Sequence, residues 1–152
     1  MPSIAVQIAD AMAAGLTAAT FSGPYGTIQA VRRYVPDYDA TELKELQVSV
    51  VPGPVETERA SRGQDLFNHE IMVVVGRQTD GTNEDIDDLT MLCEEIIDKI
   101  RSETLVYSGM PEHAKYFASG MSVQFDRDSL TERRIFLAQI DVTFRVPREH
   151  VT

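Results

Sequence analysis

Apolar residues recur at every fourth position at the start of the chain. Ile4, Ile8, Met12 and Leu16 fall on one helix face, so the pattern predicts a helix over 3–16, opened by Pro2 and Ser3 and fraying at Gly15. Ser22-Gly23-Pro24-Tyr25-Gly26 breaks the chain into a turn. Residues 27–35 read as a strand stopped by Pro36, with Ile28 and Tyr34 on one side and Val31 and Val35 on the other. Asp39-Ala40-Thr41-Glu42 has the form of a helix cap and opens a short helix through Leu46. Val48 and Val50 share one face of a strand over 47–51, which Pro52-Gly53-Pro54 ends. The stretch 56–65 is charged and carries no apolar period, which predicts an exposed loop or hairpin arm.

Ile71-Met72-Val73-Val74-Val75 is apolar at every position, as suits a central strand over 70–77 covered on both faces. A turn follows at 78–81. Ile86, Leu89, Leu92, Cys93, Ile96, Ile97 and Ile100 form one stripe, predicting a long helix over 83–102. Thr82 and Asp85 resemble a capping box, acids crowd the first turns, and Lys99 and Arg101 sit in the last, the order the helix dipole prefers. After a loop around Gly109-Met110-Pro111, alternation returns in 118–127 (Met121, Val123, Phe125) and 135–146 (Phe136, Ala138, Ile140, Val142, Phe144, Val146). The charged stretch 126–134 reads as a projecting loop between these strands. Strands adjacent in sequence favour antiparallel pairing, so the expected fold is a single α+β domain. It has a mostly antiparallel sheet with an N-terminal helix and one long helix packed on it.

The chain of 152 residues is long enough to bury a substantial core, and 43% hydrophobic with 25% charged residues is an ordinary globular mixture. With 24 acidic and 14 basic side chains it carries a formal charge of -10, which does not attract nucleic acid. Its one cysteine, Cys93, excludes an internal disulfide and fits a reducing compartment or a disulfide-free assembly. The longest clean apolar run, 71–75, is far short of a membrane span, and no base precedes Arg32 to form a secretory signal. The expected location is the cytoplasm of the cell that makes the protein.

Candidate chemistry is sparse. His69, His113 and His150 have no metal-ligand spacing and are expected at the surface. Cys93 falls on the apolar stripe of the long helix and is expected to be an inert core residue. Ser22 to Gly26 lacks the lysine of a phosphate loop. The acids of 80–88 lack the spacing of a calcium loop and read as helix capping and a solvated face. Arg32-Arg33 and Arg133-Arg134, with Arg59 and Arg62, are too scattered for a nucleic-acid surface; they suit pairing with acids of a neighbouring subunit or of this chain. Neither a catalytic group nor a cofactor or metal site is expected.

Taken together, certain segments resemble a known family. They are Arg32-Arg33-Tyr34-Val35-Pro36 after an N-terminal helix, Leu46-Gln47-Val48-Ser49-Val50-Val51-Pro52 after a short acidic helix, and Ser61-Arg62-Gly63 within a charged arm. Glu70 to Val75, Glu94-Glu95-Ile96-Ile97-Asp98 and Phe136 to Phe144 complete the set. This order is similar to that of the tail-terminator and head–tail joining (neck) proteins of tailed bacteriophages, over about 27–146. The resemblance implies a non-enzymatic virion protein, made in the host cytoplasm. It implies a ring, commonly of six copies, that caps the tail tube and meets a stopper or connector protein, with DNA passing through without specific binding. A stopper, adaptor or minor tail protein of the same neck is the nearest alternative. A small enzyme or ligand-binding domain and a nucleic-acid module are the others. The residues chosen as contact elements are Arg59, Arg62, Asp65 and Phe67 in the arm and Arg133 and Arg134 in the late loop.

Overall fold

The computed structural model describes residues 3–35, 38–59, 62–101 and 115–149, and side chains for all of these except 101, 115–123 and 147–149. The expected loop at Gly109-Met110-Pro111, and His113 and His150, lie outside the described residues. The elements run α1 (Ile4–Ala18), β1 (Ala30–Arg32), a 3-10 turn (Glu42–Lys44), β2 (Gln47–Arg59), β3 (Gln64–Gln78), α2 (Asn83–Arg101), β4 (Lys115–Phe125), α3 (Arg127–Arg133) and β5 (Ile135–Glu149). The class is α+β, with a five-stranded sheet in the order β1-β2-β3-β5-β4.

Strand period places one set of side chains on a common face. Val48 and Val50 of β2, Ile71, Val73 and Val75 of β3, and the even positions 138–146 of β5 lie opposite one another in register, and all are buried. Both long helices cover this face, α1 over β1 and β2 and α2 over β5 and β4. Ile8, Met12 and Leu16 of α1 and Leu89, Ile96 and Ile100 of α2 are completely or almost completely enclosed, each burial contributing about 1.5–3 kcal/mol. Ser3 opens α1 as expected, its hydroxyl accepting the Val6 N–H at 3.2 Å. Gly15 does not end the helix. It is buried within it, and α1 runs on to Ala18, where the Ala19 N–H closes on the Gly15 carbonyl.

The first predicted strand shrinks to three residues, and it pairs parallel to β2, against the antiparallel expectation. A segment lies between them, which gives the chain room to return in the same direction. That segment is a 3-10 turn rather than a short helix through Leu46, and Asp39 caps it by accepting the Glu42 N–H at 2.8 Å. Tyr38 and Leu43 from this segment lie over the far face of the sheet. A Cβ on Gly76 would come within 3.1 Å of Leu43, so glycine there makes room for the leucine. Ser49, which hydrogen-bonds Tyr38 through its hydroxyl, Val51 and Val74 are buried on this face.

Pro52-Gly53-Pro54 does not end β2. The strand passes through it with a register shift between Pro52 and Val55 and continues to Arg59. Beyond the three residues that β1 covers, β2 is an edge strand, where proline's missing N–H removes no ladder bond. At the shift, Gly53 approaches β3 so closely that an added Cβ would sit 2.8 Å from the Glu70 carbonyl oxygen. Beyond it the hairpin arm expected at 56–65 is present, and residues 54–59 are all exposed.

The late stretch 126–134 is not a loop but is mostly helical. Asp126 caps α3, its carboxylate accepting the Ser129 N–H at 3.2 Å and hydroxyl at 2.8 Å, and Arg134 ends it in the left-handed region at φ 53.

Candidate interaction surfaces

The six chosen contact residues fall into two groups at opposite ends of the sheet. Arg59 lies directly across from Asp65 near the arm tip, with Arg62 exposed in the turn between their strands. Phe67 is half-buried on the helix side, where its ring meets His69 edge-on at 6.4 Å. Arg133 and Arg134 lie beside the start of β5, opposite Gln78 at the far end of β3. The β3–β5 ladder runs the full length between the two groups, roughly 45 Å at ~3.3 Å per residue. Both late arginines are exposed, and Arg134 holds the adjoining turn: its Nη1 lies 3.4 Å from the Asp80 carbonyl, and its own carbonyl accepts the Thr79 N–H at 2.8 Å.

The first basic pair is satisfied within the chain. Arg32 Nε is 2.6 Å from Asp10 on α1, and Arg33 is 3.7 Å from Glu42 and lies over the Tyr38 ring. The hydrogen bond that Arg32 donates to Asp10 raises the Arg32 pKa above its ordinary value. Arg77, on β3, joins Asp85 at 3.4 Å and the Tyr25 hydroxyl at 2.9 Å, tying the 22–26 turn to the first turns of α2. Burial raises the Tyr25 pKa, against the Arg77 charge, which lowers it. Ser22 of the same turn gives its N–H and its hydroxyl to Glu95. The Thr82 hydroxyl accepts the Asp85 N–H at 3.3 Å, as in a capping box, but the Asp85 carboxylate turns back to Arg77 and to the Asp80 N–H. Asp80 accepts both the N–H and the hydroxyl of Thr82, and these bonds hold its pKa below the usual carboxylate range.

Cys93 is 1% exposed on the apolar stripe of α2, and burial pushes its thiol up to about 12. His69, expected at the surface, is instead 4% exposed within β3 on the helix side. Period 2 puts it opposite Phe144 and Val55, a placement that its neighbours in the sequence did not reveal. Among the described residues, no group of three or more His, Cys, Asp or Glu is placed to hold a metal ion. No described helix is long and apolar enough to cross a membrane.

Two hollows flank the end of β4. One, of about 240 Å³, lies on the helix side between α2, α3 and the sheet, walled by Ile86, Phe125, Leu130, Phe136 and Leu137, with Thr90, Asp126 and Arg127 completing it. The other, of about 380 Å³, opens on the far face against Val74, Gln124 and Gln139. Gln139 is engaged there, its amide donating to Asp141 at 2.9 Å and lying 3.2 Å from the Met72 sulfur. Sequence reasoning missed the helix-side hollow because it depends on α3. The signal available was the Asp126-to-Ser129 spacing, which fits an N-cap. No protein-family model matches the chain, and no curated protein matches it.

Proposed function

We propose that this protein is a structural ring component of a phage neck, a tail terminator that caps the tail tube and joins it to the head connector. The observation that carries the reading is the arm. Residues 54–59 are all exposed, and among the described residues no strand pairs with the outer edge of β2 beyond the three residues paired with β1. A strand edge that leaves its own domain exposes backbone N–H and C=O groups ready for another chain. Glu56, Glu58 and Arg59 on that edge oppose indiscriminate pairing and favour a partner with matching charges. The proposed partners are other copies of the chain, the tail tube protein, and a stopper or connector protein. The net charge of -10 favours DNA sliding through a ring without adhering to it.

The test is tube growth. Tail tube protein of the same phage is polymerised with and without this protein, and tube lengths and ends are examined by electron microscopy. The expected result is tubes of bounded length with a ring at one end. Tubes of unchanged length with bare ends refute the terminator role. If the protein instead binds portal-filled heads, the stopper or adaptor role replaces it.

A further inference from the structure

Large apolar side chains are exposed at both edges of the sheet, as they are also at Val55 on the arm and Met91 on α2. At the end of β1, Val31 is 44%, Tyr34 65% and Val35 71% exposed. At the end of β4, Phe125 is 50% exposed and forms a wall of the helix-side hollow. The register relates them. Val31 pairs with Ser49, Ser49 with Val74, Val74 with Gln139, and Gln139 with Gln124, the residue before Phe125. Val31 and Gln124 therefore lie at the two ends of one rung, four strand spacings or roughly 19 Å apart, with Tyr34 and Val35 following β1 and Phe125 following Gln124.

We infer that copies of this chain join head to tail, the Val31–Tyr34–Val35 corner of one copy seating in the apolar hollow between α2, α3 and Phe125 of the next. This rests on the ring reading above and names the contact that closes the ring. The occupant follows from three features. First, the hollow is smaller than the 300–1,000 Å³ usual for small-molecule sites and is walled mainly by apolar side chains, so it suits one or two side chains. Second, the corner brings no unpaired charge with it. Arg32, whose guanidinium stacks on Tyr34, is held by Asp10, and Arg33 is paired with Glu42. Burying the corner strands no isolated cation. Third, corner and hollow belong to different surfaces of the same molecule. Each added copy offers a fresh corner and a fresh hollow, which is the geometry of a heterologous contact.

The test uses one variant for each side of the contact. Tyr34→Asp charges the corner. Thr90→Arg, at a half-buried position of α2 that lines the hollow, fills it with a long charged side chain, and Phe125→Asp is a second hollow variant. Circular dichroism and unfolding midpoints establish that each is folded, and sedimentation velocity is run alone and with tail tube protein. Each variant by itself is expected to associate at least about tenfold more weakly than the wild type. An equimolar mixture of Tyr34→Asp and Thr90→Arg is expected to form dimers and stop there, because only one intact corner meets only one intact hollow. Variants that assemble like the wild type, a mixture without dimers, or a wild type that is monomeric in both settings each overturn this contact. Tube capping is read independently. A protein that bounds tube length while its variants still form rings refutes the corner-and-hollow contact and leaves the terminator reading standing.

Discussion

Gly53 is where body and arm meet, and replacing it tests whether that junction is a close backbone approach. In Gly53→Ala the new Cβ would lie 2.8 Å from the Glu70 carbonyl oxygen and 3.5 Å from its carbon. Both atoms belong to the backbone of β3, the strand that also pairs with β5 along its whole length, so neither can swing aside. Relief requires a shift of roughly half an ångström in one strand of a paired ladder, and such overpacking costs about 1–3 kcal/mol. For a domain of this size that lowers the thermal midpoint by about 2–12 °C. The control is Gly63→Ala in the arm turn, where an added Cβ meets nothing within 4 Å and the expected change is within ~0.5 kcal/mol. Urea denaturation monitored by circular dichroism measures both. If Gly53→Ala is as stable as Gly63→Ala, the two strands are not in contact at the register shift, and the description of the junction is wrong.

Other predictions follow from single side chains. Cys93 should resist a maleimide reagent in the folded protein and react promptly once urea unfolds it, since burial holds the thiol protonated at neutral pH; rapid labelling of the native state refutes its core placement. Hydrogen bonds from the N–H and hydroxyl of Ser129 hold the Asp126 pKa below its unfolded value. Its stabilising contribution is therefore fully present above the ordinary carboxylate pKa of about 3.9 and is lost as pH falls through the lower folded value. Asp126→Ala should accordingly lower the unfolding midpoint at pH 7 and narrow its gap to the wild type in strong acid; a gap independent of pH contradicts the cap. Arg62→Glu, exposed in the arm turn, should weaken assembly while leaving stability within ~0.5 kcal/mol, checked by sedimentation beside thermal unfolding.

Much of the fold was legible because burial imposes periods. The stripe from Ile86 to Ile100 marked α2, and the alternation from Phe136 to Val146 marked the buried face of β5. What escaped depended on partners distant in sequence. Pro52-Gly53-Pro54 looks like a strand end, yet an edge strand with a register shift tolerates both prolines. Val31 and Val35 suggested a longer strand, but only Ala30 to Arg32 pair in register with β2, and the Arg33 N–H makes the last bond, to the Val50 carbonyl. Asp126 to Arg134 looked like loop because its charged residues face solvent, while the capping geometry that makes it helical is local and compact. The arm residues were recognisable from charge without apolar period. The hollow was not, since its walls come from α2, α3, β4 and β5 and meet only in three dimensions.

The most direct test of the account is the mass of the purified protein in solution by light scattering, alone and then with tail tube protein. The account predicts a closed assembly of about six chains, either free or formed on the tube. A protein that remains a monomer at every concentration and ignores the tube contradicts it.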